Sequence, residues 1–296
     1  MLRKLKAAFV RHGFIGLAVH AVRRADSFCL PAVQGRRFRG AFGSYHEAMA
    51  SVRPWFLAGY DNDAVVDNGL EGMSRILPSD ARVLIHLERL LPDVKCILDA
   101  GGNTGAKYRA FRDQLLDLNN NVSWIIWDTP AAVRAGRKRA VTDGLTALSF
   151  VDDVAEAPPA DLVLCSGLLQ YLDIPFADLI GRLVKKPPHL ILNKVATRNG
   201  STVVTLERLR DTAEVPYQIR NCEEFVETLD ALGYDIVDEW VLPEFSHVIS
   251  DAPQLGASTC RGYYGKFRAA ATKRELRAFA AACLLMGSLI ASPEFA

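Results

Sequence analysis

From Lys95 onward, short apolar runs alternate with stretches of helical periodicity. The runs are brief and lack polar alternation, which predicts strands buried on both faces of a parallel sheet and joined by crossover helices. The first strand is Cys96–Ala100, followed by a glycine-rich turn and a helix over about 104–118 that three asparagines end. The second covers 122–127 and reaches Asp128. Thr129 and Pro130 then open a helix over 131–140, with a hydroxyl cap and proline at the first helical position. A weaker third strand over 147–151 stops at Asp152 and Asp153. The fourth covers 161–165 and the fifth 189–195. A helix over 222–232 runs into Gly233, an expected C-terminal cap, and then into a sixth strand, Tyr234–Val241. A loop holding Pro243, Pro253 and Gly256 leads to a seventh strand over 262–269. The expected fold class is α/β, with a seven-stranded, mostly parallel sheet and helices on both faces. Residues 41–94 lack this rhythm and read as a mostly helical N-terminal extension or lid. The expected division is a basic arm (1–40), that extension (41–94), a sheet domain (95–270) and a C-terminal helix or tail (271–296).

Charge adds one feature to this picture. The 296 residues are 50% hydrophobic and 23% charged with a net charge of +1, which excludes a disordered chain and a surface built to grip nucleic acid. Residues 1–40 nevertheless carry nine Lys/Arg and one acid, a net of +8, so the rest of the chain sums to about −7. Apolar residues (Phe9, Phe14, Ile15, Leu17) interleave the basic ones, as in a helix lying on an anionic membrane surface; an amphipathic helix packed on the globule is the plainer reading. No stretch reaches the ~18 apolar residues of a membrane span; Ala278 to Pro293 comes nearest and reads as a packed terminal helix. None of the six cysteines forms a C-x-x-C pair and no histidine cluster has metal-ligand spacing, so no metal is expected and a reducing, cytoplasmic setting is. Cys96 and Cys165 sit in apolar runs and read as small core residues.

The sharpest chemical signal is Asp99-Ala-Gly101-Gly102-Asn103-Thr-Gly105 at the end of the first strand. Glycines there permit positive φ and close approach to a ligand, and a following helix offers free N–H donors. Asp128 ends the second strand 23 positions after Gly105, near the ~20-residue spacing of a carboxylate that receives a ribose diol. The alternative is that Asp128 caps the next helix. A dinucleotide would prefer G-x-G-x-x-G, and a carboxylate at the turn repels phosphates. It suits a cationic ligand with an amino-acid tail, and S-adenosyl-L-methionine is such a ligand. Asp152 and Asp153 could meet an adenine amino group, or form a solvated turn.

The series Asp99-x-Gly-x-x-x-Gly, Asp128, Asp152/Asp153 and the fourth-strand exit (Asp161-Leu-Val-Leu-Cys-Ser-Gly-Leu-Leu-Gln-Tyr-Leu) resembles the class I, Rossmann-like SAM-dependent methyltransferases. So does Leu232-Gly233-Tyr234. That family has a seven-stranded sheet with an antiparallel final strand; the resemblance covers about residues 95–270 and adds Ser166 and Gly167 to the cofactor-binding candidates. A narrower likeness runs through Phe42-Gly-Ser-Tyr-His-Glu-Ala, Gly59-Tyr-Asp61 and Trp127-Asp-Thr-Pro. These are similar to bacterial methyltransferases associated with lipopolysaccharide and other surface-glycan biosynthesis loci, which implies a small-molecule, glycan or glycolipid acceptor. Many class I enzymes carry His where this chain has Gln170, which is no base at neutral pH.

Methyl transfer is an in-line displacement, and a hydroxyl acceptor also gains from a general base. His46 and His247 are the candidate bases, although either reads equally as a packing or surface histidine. Tyr45, Tyr60 and Tyr171 are candidates to line an acceptor pocket or to fill the core. Two other functions stay open at this level: an NAD(P)- or nucleotide-sugar-linked enzyme using the same turn, and a non-catalytic Rossmann-like scaffold.

Overall fold

The structure, a computed structural model, describes residues 37–63, 66, 74–115, 122–209 and 212–268. In chain order its strands are β1 (Phe38–Phe42), β2 (Leu57–Ala58), β3 (Cys96–Ala100), β4 (Ser123–Trp127), β5 (Leu148–Val151), β6 (Leu162–Ser166), β7 (His189–Arg198), β8 (Val203–Leu209), β9 (Ala213–Asn221), β10 (Tyr234–Val241) and β11 (Thr259–Phe267). Its helices are α1 (Tyr45–Ala50), α2 (Ala81–Leu90), α3 (Ala106–Phe111), α4 (Pro130–Thr142), α5 (Phe176–Arg182) and α6 (Cys222–Ala231).

Strands β5-β4-β3-β6-β7 run parallel in that spatial order. The last strand, β11, lies antiparallel against β7, and β10 pairs antiparallel with β11. The order in which strands are added therefore reverses between β3 and β6, and the crevice outside their C-terminal ends is the topological switch point, where open α/β sheets hold ligands. Period-two alternation feeds a core on each face. Ile97, Trp124, Ile126 and Ile191 join the cluster beneath α2 and α3, while Leu98, Ile125, Leu190 and Leu192 join the cluster around α5 and α6.

Seven of these strands fall where the hydrophobic pattern places them, but the sheet has eleven. β8 and β9 form an antiparallel hairpin, β1 pairs antiparallel with β8, and β2 pairs parallel with β9. The region 41–94, expected to be mostly helical, holds α1 and α2 in its described part and also β2 and the end of β1. The hairpin escapes the pattern because Glu207, Glu214 and Pro216 interrupt its apolar runs. Both acids are buried all the same, at 0% and 1% exposure. Glu207 accepts from Arg37 (Nε, 2.7 Å), and Glu214 from Arg39 (2.8 and 3.0 Å) and Arg53 (2.5 and 2.9 Å). Arg37 and Arg39 were counted in the basic arm; they are pinned to the sheet instead. The rest of the arm (1–36) and the tail (271–296) lie outside the described residues. Among the described residues no helix is long and apolar enough to cross a membrane.

Candidate functional site

The turn after β3 is left-handed at three positions: Gly101 (φ +74°), Asn103 (φ +54°) and Gly105 (φ +87°). At Gly101 the need is also steric, because a Cβ would meet the Leu168 side chain at 2.8 Å where the loops after β3 and β6 converge. Gly101 N donates to Trp127 O (2.8 Å), tying the turn to the end of β4. Asn103, a residue that tolerates this backbone, turns its own Oδ1 onto Thr104 N (2.6 Å).

Asp128 closes the turn from the β4 side. One carboxylate oxygen accepts from Asn103 N and the other from Thr129 N, both at 2.7 Å. Each oxygen keeps a second lone pair. Burial raises the Asp128 pKa, the two N–H donors pull against that, and Asp61 adds a like charge. The helix-cap alternative goes to another residue: Ala131 N, in the first turn of α4, donates to Asp61 Oδ1 (3.0 Å), while the N-cap Thr129 makes no side-chain capping bond.

Asp99 was expected to face a ligand's cationic tail. It lies under the turn instead, 1% exposed, and its carboxyl accepts from Trp124 Nε1 (3.1 Å). Gly102 rests directly on it, since a Cβ there would meet Asp99 Cγ at 2.7 Å. The alternation that puts Ile97 on the α3 face puts Asp99 there too, which aims the carboxyl into the core layer rather than the crevice. Burial drives its pKa up to about 7; the indole N–H and the positive charge of Lys107 offset only part of that cost.

The remaining residues divide clearly. Asp153 caps the short 3-10 turn Val154–Glu156, accepting from Ala155 N (2.9 Å), as in the turn that was the alternative to an adenine contact. Asp152 is exposed at the end of β5. Ser166 Oγ meets Asn193 Nδ2 (3.3 Å), and Gly167 (φ +88°) donates to Asn193 O (2.9 Å), so the β6 exit is tied to β7. Thr104 Oγ1 and Gln170 Oε1 are buried without a hydrogen-bond partner. A cavity of about 660 Å³ touches this turn at Thr104 and runs along α4 past Ala131, Arg134 and Lys138.

The two candidate histidines lie on different elements, His46 on α1 and His247 in the loop between β10 and β11. His46 is exposed on α1, which packs on β1, β8 and β9. His247 stacks on Phe38 (3.7 Å between ring centres), and its Nδ1 meets Ser258 Oγ (3.1 Å) and Phe245 O (3.3 Å). Burial lowers its pKa to about 4, so it packs as a neutral ring at physiological pH. Tyr60 and Tyr171 are brought together at 4.8 Å, with Tyr171 Oη donating to the buried Glu207 (2.6 Å) and burial raising both phenols; Tyr45 is half-buried on α1. Among the described residues no cluster of His, Cys, Asp or Glu could hold a metal ion. Three residues near this edge went unnoticed as site residues in the sequence: Asp61, Asn193 and Lys194. The last two are adjacent polar residues closing the apolar run Leu-Ile-Leu, and that interruption was the available signal.

No family model matches the chain, and no curated protein does. Solved structures resemble it remotely. The N-terminal domain of EvdMO1, with S-adenosylhomocysteine (SAH) bound, is 17% identical over 64% of this chain and 81% of its own, with a TM-score of 0.46. The Burkholderia thailandensis 1,6-didemethyltoxoflavin-N1-methyltransferase, bound to 1,6-didemethyltoxoflavin and SAH, is 18% identical over 78% of this chain and 94% of its own (TM-score 0.44). An O-methyltransferase family protein from the same organism is 16% identical over 67% and 59% (TM-score 0.43).

Proposed function

We propose that the chain is a SAM-dependent methyltransferase that methylates a hydroxyl of a small-molecule or glycan-type acceptor. The observation that carries this reading is the donor set at the switch point. A left-handed turn and an acid with free lone pairs (Asp128) meet there, and Thr104 in the turn and Gln170 after β6 each hold a buried oxygen with no hydrogen-bond partner. A buried oxygen without a partner costs about 1–3 kcal/mol, which a polar ligand in the crevice offsets. Acids stand at the ends of β4 and β5 and none of the turn's residues is Lys or Arg, so a sulfonium with a ribose diol suits the set better than a pyrophosphate. Asp128 would receive the diol, the backbone of residues 101–105 would pass close to the amino-acid tail, and Asp152 stands at the adenine end. The bound cofactor supplies an electrophilic methyl group on a sulfonium sulfur. The chain's own residues hold it in line with the acceptor and keep water out.

The test is calorimetric titration of the chain with SAH and, separately, with NAD. Binding of SAH alone supports the reading; NAD binding favours a nucleotide-linked enzyme, and binding of neither favours a scaffold. The same reading makes residues 1–36 a contact to anionic membrane near a glycolipid acceptor. Sedimentation with anionic vesicles at low salt, released at high salt, tests it.

A further inference from the structure

We infer that Lys194 is the catalytic base, its amine taking the proton of the acceptor hydroxyl beside Gly167. This rests on the methyl-transfer reading above and supplies the group that Gln170 and the two histidines do not. The backbone at Lys194 is left-handed (φ +61°), an uncommon conformation for a lysine and one found where a site is held under strain. A β-bulge accounts for it. The β7–β11 register passes from Leu192↔Tyr263 to Val195↔Arg261, so Asn193 and Lys194 together oppose Gly262. Such bulges re-aim side chains.

The bulge is held from three sides. Asn193 Nδ2 donates to Ser79 O (3.1 Å) and, as above, meets Ser166 Oγ, while Trp240 Nε1 donates to Asn193 Oδ1 (3.1 Å). Trp240 lies over Gly262, where a Cβ would meet its ring at 2.0 Å. Lys194 is thereby turned out of the strand's alternation toward the end of β6. A Cβ on Gly167 would stand 3.9 Å from Lys194 Cδ and 3.8 Å from Gln170 Nε2, so these two side chains flank the β6 exit at the switch-point crevice. The Lys194 amine lies 5.2 Å from the centre of the Phe245 ring. Lys107 does not share its position: that amine is committed to both oxygens of Asp80 (2.7 and 2.9 Å).

The charged and titratable groups facing Lys194 are Lys107 from α3, Asp80 from the turn before α2, Cys260 from β11 and Glu244 from the loop after β10. Burial and then Lys107 lower its pKa, the other three raise it, and the amine settles at about 8, where a good fraction is neutral near physiological pH. In the step, the acceptor oxygen bonds to the methyl carbon as the carbon–sulfur bond breaks with its electron pair going to sulfur. The hydroxyl proton passes to the lone pair of Lys194 Nζ. The products are a methyl ether, a thioether and the Lys194 ammonium, which returns its proton to water.

The experiment is trace acetylation of the full chain with acetic anhydride from pH 6 to 10, read lysine by lysine by mass spectrometry, with and without SAH. Lys194 should label at least tenfold faster than Lys138 at pH 7.5, follow a midpoint near 8, and be protected at least fivefold by SAH. Lys194→Met and Lys194→Arg should bind SAH within threefold of the parent chain, which shows that they fold and that the amine is not part of the cofactor site. Labelling no faster than Lys138, labelling that SAH leaves unchanged while SAH binds, or SAH binding lost in both variants overturns the role of Lys194. Absence of SAH binding to the parent chain instead overturns the methyltransferase reading.

Discussion

Two regions of the molecule bury charge in opposite ways. In the β1–β8–β9 sheet every buried acid meets arginine: Glu207 has Arg37, and Glu214 has Arg39 and Arg53. Burial alone would raise the Glu214 pKa, but the arginines outweigh it and hold the group at about 2. At the ends of β3 and β4 and at the bulge within β7 the charges are left short of partners. Asp99 has one indole N–H and rises to about 7, Asp128 has two backbone N–H groups and still rises, and Lys194 falls to about 8. The first arrangement fixes a fold. The second leaves groups able to change protonation or accept a ligand, and clustering of such groups in a crevice is a mark of a functional site.

The largest effect expected from breaking this contrast is in the added sheet. Glu214→Gln leaves two arginines facing a neutral amide and should cost about 3 kcal/mol, read by denaturant unfolding. Because the folded pKa is depressed, the carboxylate's contribution is present above about pH 4.5 and is lost as pH falls toward 2. A variant as stable as the parent at pH 7 would show that these pairs are not what holds the hairpin.

Asp128→Asn comes next. It keeps the size but removes the charge and one acceptor, so SAH affinity should fall by about 2 kcal/mol in calorimetry. A fall in melting temperature with unchanged SAH affinity would assign Asp128 to bracing the turn alone. Asp99→Asn should have the smallest effect and the opposite sign. With its folded pKa raised, Asp99 costs nothing below about pH 4 and progressively destabilises the fold as pH rises to 7. The variant should therefore gain about 1–2 kcal/mol at pH 8 and nothing at pH 4. A loss at pH 8 would mean that the ionised Asp99 is needed under the turn.

Much of the sheet was legible from residue order because parallel strands buried on both faces must be continuous apolar runs, as at Cys96–Ala100 and Leu162–Ser166. The glycine turn and Asp128 were legible for a local reason too: left-handed backbone and strand-end acids leave their mark within a few residues. What lay beyond the sequence depends on partners far along the chain. Glu207 and Glu214 look like surface residues until Arg37, Arg39 and Arg53, more than 160 positions earlier, cancel their charge within a sheet. Asp61 caps a helix 70 positions away. The direction in which Asp99 points followed from strand alternation and sheet packing together, and that packing buried it. Lys194 sits in a run that reads as plain strand, and only pairing with β11, one residue out of step, turns it toward the crevice. Sequence by itself determined seven of the eleven strands, the turn and the acid at its side, because those follow from short-range burial and backbone sterics. Tertiary structure decided which charges are neutralised and which are left available, because electrostatic energy in a buried layer depends on neighbours that the chain brings together only by folding.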